Sequence, residues 1–288
     1  MTVINTNVSA TLASNAIARN ERAMSTAMER LSTGKRINSA ADDAAGLAIS
    51  ARMGSQVKGL EQAARNAADG ISMVQTIEGA GKEILNILTR MKELAVQAST
   101  GTLSLEDRDA LDAEYSQLES EITRVATNTK WNTRALMSAA TTVNVQVGDA
   151  NGQTMAIAFS SWQLADNGGG AYGAANVAAA TRSITDAGDV LATSQTNAQN
   201  TITQLDTAII AASSELAKYG AYINRLEYAQ DNLLNVAQNT DASRSRIEDA
   251  DYASETSELA KTQIISQAGT AMLAQANQIK QTVLALLQ

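Results

Sequence analysis

The 288-residue sequence predicts a mainly α protein, a long helical rod with antiparallel coiled-coil ends and one β-hairpin. Three observations carry that expectation. Apolar residues recur in steps of three and four through most of the chain. One segment, about residues 141–160, instead alternates apolar and polar side chains around a turn-forming run. The composition is only 3% aromatic, with no proline, cysteine or histidine. Such chains bury small contacts along long helices rather than building a thick core.

The helical seams are explicit. Leu111, Tyr115, Leu118, Ile122 and Val125 form one. A longer one runs from Ile202 through Leu205, Ile209, Ala212, Leu216, Tyr219, Ile223, Leu226, Gln230 and Leu233 to Ala237, with only Gln230 breaking its apolar character. From Leu60 to Ala98 the pattern reads as two stripes, which implies neighbours on two sides of a helix roughly 60 Å long. Ser39 with Asp42, Ser104 with Asp107 and Ser245 with Glu248 have capping-box spacing and mark expected helix starts. Asp42 and Asp43 are then expected just inside a helix start, where adjacent carboxylates serve the helix dipole rather than acid–base chemistry. Two joints are expected, at GKRINSAADDAAG (34–46) and NTDASRSR (239–246).

In the hairpin, Val143, Val145 and Val147 are mirrored by Met155, Ile157 and Phe159 across GDANG, giving one buried face. The glycine-rich run that follows, to about residue 198, reads as an exposed loop.

Catalysis finds little to work with. Without histidine or cysteine there is no zinc site and no Ser-His-Asp triad. GAGKE (79–83) lacks the spacing and the hydroxyl of a phosphate loop, and Gly148, Asp149 and Asn151 lack the ligand spacing of a calcium loop. The sequence therefore predicts neither an enzyme nor a cofactor. A net charge of −8 offers no basic face to nucleic acid. The first twenty residues have no signal-peptide pattern, and no window reaches about 18 uninterrupted apolar residues, so no membrane span is expected.

The last helix raises its own question. In ISQAGTAMLAQANQIKQTVLALLQ (265–288), Lys280 is the only charge. Ile265, Ala268, Met272, Ala276, Ile279, Val283 and Leu286 recur about every 3.5 residues and need a facing helix.

LSTGKRINSAADDAAGLAIS, NAADGISMVQTIEGA and RMKELAVQAS resemble bacterial flagellin closely, as does RIEDADYASETSELAKTQIISQAGTAMLAQANQ near the other end. The resemblance covers about residues 1–135 and 199–288 and is in the family's order. It implies a terminal coiled-coil domain of residues 1–42 and 245–288 that forms the inner tube of a filament. It further implies a helical rod domain of residues 43–244, without the outer domains of longer flagellins. The expected activity is mechanical: self-assembly into the flagellar filament for swimming, after export through the flagellar channel without a cleaved signal. The protein is then extracellular. Its other implied partners are the hook–filament junction proteins, the filament cap and an export chaperone.

In filament-core packing the resemblance implies that the Ile265-to-Leu286 stripe lies against the N-terminal helix, with Ile17, Met24 and Leu31. Ser39, Asp42 and Asp43 form the implied joint. Gln267, Thr270, Gln275, Gln278 and Gln281 are candidates for an uncharged channel wall. Arg90, Leu94, Gln97 and Glu114 match positions that pack rods together, their expected main role, and that in some flagellins meet an animal Toll-like receptor. Lys280 stands where the family often has proline. The nearest rival is a hook–filament junction protein, which shares the end segments, and a more distant one is a cytoplasmic helical scaffold.

Overall fold

The computed structural model describes residues 7–163 and 191–285, with residues 191–194 and 279–285 described by backbone alone. The elements in order are α1 (Val8–Thr33), α2 (Ala44–Ala98), α3 (Leu105–Asn128), β1 (Lys130–Trp131), β2 (Arg134–Ala135), β3 (Thr141–Gln146), β4 (Thr154–Phe159), α4 (Leu191–Glu248) and α5 (Tyr252–Ala285). The chain is mainly α. It divides into two compact units, Met1–Lys58 with Ala237–Gln288, and Gly59–Val236.

The core of the second unit is built on α2. Instead of two stripes, α2 buries one, in which Ala67, Gly70, Val74, Ile77, Gly81, Ile84, Leu88, Met91, Ala95 and Ala98 step by three and four. The small residues in this seam are silent to a hydrophobicity count, so its large members read as two separate faces. Ile71, Ala80, Leu85 and Ile87 flank it, half-buried against the same core. On the expected seam α3 adds Tyr115 and Ile122, buried, with Leu111, Leu118 and Val125 half-buried, and Ala126 is buried beside it. α4 contributes Leu205, Ala212, Tyr219 and Leu226, with Ile202, Ile209, Leu216 and Ile223 half-buried.

The capping box at α3 is formed as expected. The Ser104 hydroxyl accepts the Asp107 amide at 3.2 Å, and Asp107 accepts the Ser104 amide at 3.1 Å.

The expected hairpin is β3–β4, antiparallel, with Val145 opposite Met155 and Val143 opposite Ile157. Val145, Ile157 and Phe159 are buried while Thr142, Asn144 and Thr154 are exposed, so alternation placed one face on the core. Gly152 takes φ +85°, which a side-chain-bearing residue rarely adopts. A second, smaller hairpin, β1–β2, was not foreseen. Its strands are two residues each, too short for alternation to show, and its turn places Asn132 and Thr133 at positive φ.

The expected loop over 161–198 is corrected at both ends. Trp162 is fully buried; its amide donates to the Met137 carbonyl at 2.8 Å and its indole N–H to the Tyr219 hydroxyl at 3.0 Å. Residues 191–198 already belong to α4. The rest of that loop, 164–190, lies outside the described residues.

Two buried tyrosines make this unit sensitive to alkali. Burial pushes the Tyr219 phenol up to about 12, despite the indole donor, and pushes the Tyr115 phenol up as well. The unfolded chain ionises its tyrosines near 10, so folding retains the proton more tightly. That stabilisation is complete below pH 10 and is lost as the pH rises from about 10 through about 12. Thermal melts across that range are expected to show a falling midpoint, steeper than in Tyr219→Phe. The Tyr115 hydroxyl is buried with no hydrogen-bond partner among the described residues. Stranding a hydroxyl in a core costs about 1–3 kcal/mol, so Tyr115→Phe is expected to stabilise the unit by about 1 kcal/mol in urea titration.

Candidate assembly surfaces

In the unit formed by the chain ends, α1 and α5 run antiparallel. Asn7 caps α1 by accepting the Ala10 amide at 3.1 Å, and its Nδ2 donates to the Ala276 carbonyl at 3.3 Å. Asn20 Nδ2 donates to the Thr262 carbonyl at 2.7 Å, Arg30 pairs with Glu255 at 3.1 Å, and the Tyr252 hydroxyl donates to the Leu31 carbonyl at 2.8 Å. A Cβ on Gly269 would lie 2.9 Å from Ile17 Cγ1, so glycine sets how closely the helices approach.

The two faces in contact are both heptads. On α1 they are Ala10, Ala13, Ile17, Asn20, Met24, Ala27 and Leu31, so the three residues expected there all lie in this seam. On α5 they are Glu255, Leu259, Thr262, Ser266, Gly269, Leu273 and Ala276. The stripe expected to face α1 is therefore corrected. Ala276 does, but Ile265, Ala268 and Met272 point away, and the side chains of Ile279, Val283 and Leu286 lie outside the described residues. The reason is chemical. The inner face of α5 is mostly small and polar, which permits close approach, whereas the strongest apolar periodicity lies about one residue round the helix.

That leaves large apolar side chains in water. Ile264 and Met272 are 67% exposed and Ile265 45%, while on α1 Leu12 is 66% and Val8 65% exposed. Gln267, Thr270, Gln275 and Gln278 are also exposed; Gln281 and Lys280 lie beyond the described side chains.

The first expected joint pairs with the break between α4 and α5. Gly34 ends α1 in the left-handed region (φ +71°), its amide donating to the Arg30 carbonyl at 2.9 Å. The Arg36 amide then donates to the Glu248 carbonyl at 2.6 Å and the Ala250 amide to the Gly34 carbonyl at 3.0 Å, bridging Lys35 and Asp249. Ser39 and Asp42 are not at a helix start. Asp42 closes a turn before α2, accepting the Ser39 and Asn38 amides at 2.9 and 3.1 Å, and these amides hold its carboxyl below the usual carboxylate range. Asp43 caps α2 instead, accepting the Gly46 amide at 2.8 Å.

The second joint lies later than expected. α4 continues through 239–246 to Glu248, because asparagine, threonine, aspartate and serine weaken a helix without stopping it. Ser245 and Glu248 therefore sit in its last turn rather than at a new start. Ser245 donates to Asp249, and the break falls at 249–251, where the chain pairs with residues 34–36.

In the other unit, Arg90 and Glu114 are brought together: Nε and Nη2 donate to Glu114 Oε1 at 3.1 and 2.9 Å, and Nη1 donates to Glu93 at 3.0 Å. Those bonds, Glu114 first, hold the guanidinium protonated above its ordinary range. Gln97 is exposed. Leu94 is corrected: it is buried beside the α2 seam, 1% exposed, and cannot present itself to a partner of the folded unit. Among the described residues no group of three or more acidic side chains is placed to hold a metal, and no helix is long and apolar enough to cross a membrane.

Residues 4–142 match the family described as bacterial flagellin N-terminal helical region, and residues 202–287 match bacterial flagellin C-terminal helical region. The flagellin of Halalkalibacterium halodurans is 45% identical over 263 residues, 91% of each chain. The flagellar filament 33 kDa core protein of Treponema phagedenis is 39% identical over 289 residues, covering 99% of this chain and 100% of that one. The flagellin of Bacillus subtilis is 40% identical over 303 residues, 99% of each chain.

Proposed function

The chain belongs to the bacterial flagellin family, and from that premise we propose how it serves as the structural subunit of the flagellar filament. The observation that carries the mechanism is the exposed apolar stripe on α5. Within one chain α5 turns a small, polar face to α1 and leaves Ile264, Ile265 and Met272 in water. Burying such side chains contributes about 1.5–3 kcal/mol each, which a monomer forgoes and a polymer recovers. The stripe is covered by terminal helices of neighbouring copies, which form the inner tube, and the glutamine and threonine positions face its lumen.

Because a first contact between two copies loses their freedom of motion while covering only part of the stripe, nucleation is slow and growth at an existing end is fast. The subunit travels to that end through the flagellar export channel without a cleaved signal, and works outside the cell. There it meets the junction proteins and the cap, after release from an export chaperone. On the other unit, Arg90, Gln97 and Glu114 first serve packing between copies. They also offer an exposed polar surface to a Toll-like receptor, without Leu94.

Purified chain mixed with short filament fragments tests the reading. Electron microscopy is expected to show long tubes growing from the fragments. A chain that stays monomeric beside competent fragments overturns it, and is the outcome expected of a scaffold.

A further inference from the structure

A groove in the unit formed by the chain ends has a chemistry that the α1–α5 pair does not use. Lys35, Lys58, Arg244 and Glu248 line it together with Leu47, Ala51 and Gly54. Arg244 reaches it because of Gly54, where a Cβ would lie 3.1 Å from the guanidinium. Lys35 pairs with Glu248 and Arg244 with Asp241, yet the Lys35 side chain remains 52% exposed and that of Arg244 35%. Lys58 is exposed and makes no ion pair among the described residues. Three cations against one lining carboxylate is unusual in a chain of net charge −8.

The complementary charge is concentrated in the other unit. Residues 104–122 hold seven carboxylates and one arginine. That arginine, Arg108, is fully buried, so the surface of the segment is acidic. Glu106 and Asp109 are exposed in the first turns of α3.

We propose that in the assembled polymer this groove receives the first turns of α3 from a second copy, with Lys58 and Arg244 facing Glu106 and Asp109. The inference rests on the filament reading above. It makes the contact heterologous, groove of one copy to helix of the next, which is the kind of contact that extends without closing. Oppositely charged patches also set register and speed encounter, so elongation weakens as salt rises.

The experiment compares full-length chains elongating from wild-type fragments. Lys58→Glu/Arg244→Glu and Glu106→Lys/Asp109→Lys are each expected to raise the critical concentration about tenfold or more, since each juxtaposes like charges. An equimolar mixture of the two is expected to elongate as the wild type does, because every contact between unlike variants restores opposite charges. Lys58→Glu alone, which breaks no ion pair seen within the chain, is run beside them with circular dichroism, so that a folding defect is not mistaken for a lost contact. Wild-type behaviour of Lys58→Glu and of either double variant overturns the proposal. So does a mixture no better than its components. Failure of the wild type itself to elongate overturns the filament reading instead.

Discussion

Ile265→Asp/Met272→Asp is expected to leave the monomer helical and to abolish seeded elongation at concentrations where the wild type grows. The monomer tolerates the change because both side chains point away from α1 and are exposed. The polymer does not. Losing two apolar burials forfeits about 3–6 kcal/mol at about 1.5–3 kcal/mol each. At about 1.4 kcal/mol per tenfold, that raises the critical concentration by about 100- to 10,000-fold. Burying an unpaired carboxylate adds to the loss. Circular dichroism of the monomer and pelleting after seeding read the two effects separately. Pelleting at the wild-type concentration would show that the stripe is not an interface.

Trp162→Ala is expected to have the largest effect on folding, lowering the stability of the Gly59–Val236 unit by about 3–5 kcal/mol. The indole is fully buried, stands at 6.3 Å and a tilt of 34° to the Tyr219 ring, and donates to its hydroxyl. It also lies against the α2 seam, where a Cβ on Gly81 would come within 3.1 Å of it. Removing it empties a site packed between α2 and α4 and takes one hydrogen bond from the phenol. For a unit of this size the melting midpoint is expected to fall by about 6–20 °C. A fall of only a few degrees would place Trp162 at the edge of the core rather than in it.

The physics of each element explains what was legible in the sequence. Period-two alternation around GDANG located β3–β4 within 141–160 and its buried face, because one face must be buried and a slip of one position exposes it. The capping box at Ser104 was legible because all its atoms are local. The break between α4 and α5 was not, because backbone pairing with residues 34–36, more than 200 positions away, sets where it falls. Leu94 matched a surface motif by position, but it lies one residue from the seam position Ala95, on the face of α2 that is buried in the core.

The terminal stripe is the most instructive case. Apolar periodicity located it correctly on α5 but assigned it to the wrong neighbour, because the inner face is made of Thr262, Ser266 and Gly269 and carries little hydrophobic signal. In a chain built to polymerise, the strongest apolar face need not be the one that packs within the monomer.

The absence of native cysteine allows one thiol to decide the central claim. In Met272→Cys, the maleimide labelling rate is compared between monomer and elongated polymer. Met272 is 67% exposed in the single chain, so the monomer is expected to label rapidly. If copies cover the α5 stripe, labelling in the polymer slows by about 100-fold or more, the protection expected of a buried site opened only by fluctuations of a few kcal/mol. Equal rates in monomer and polymer would contradict the account.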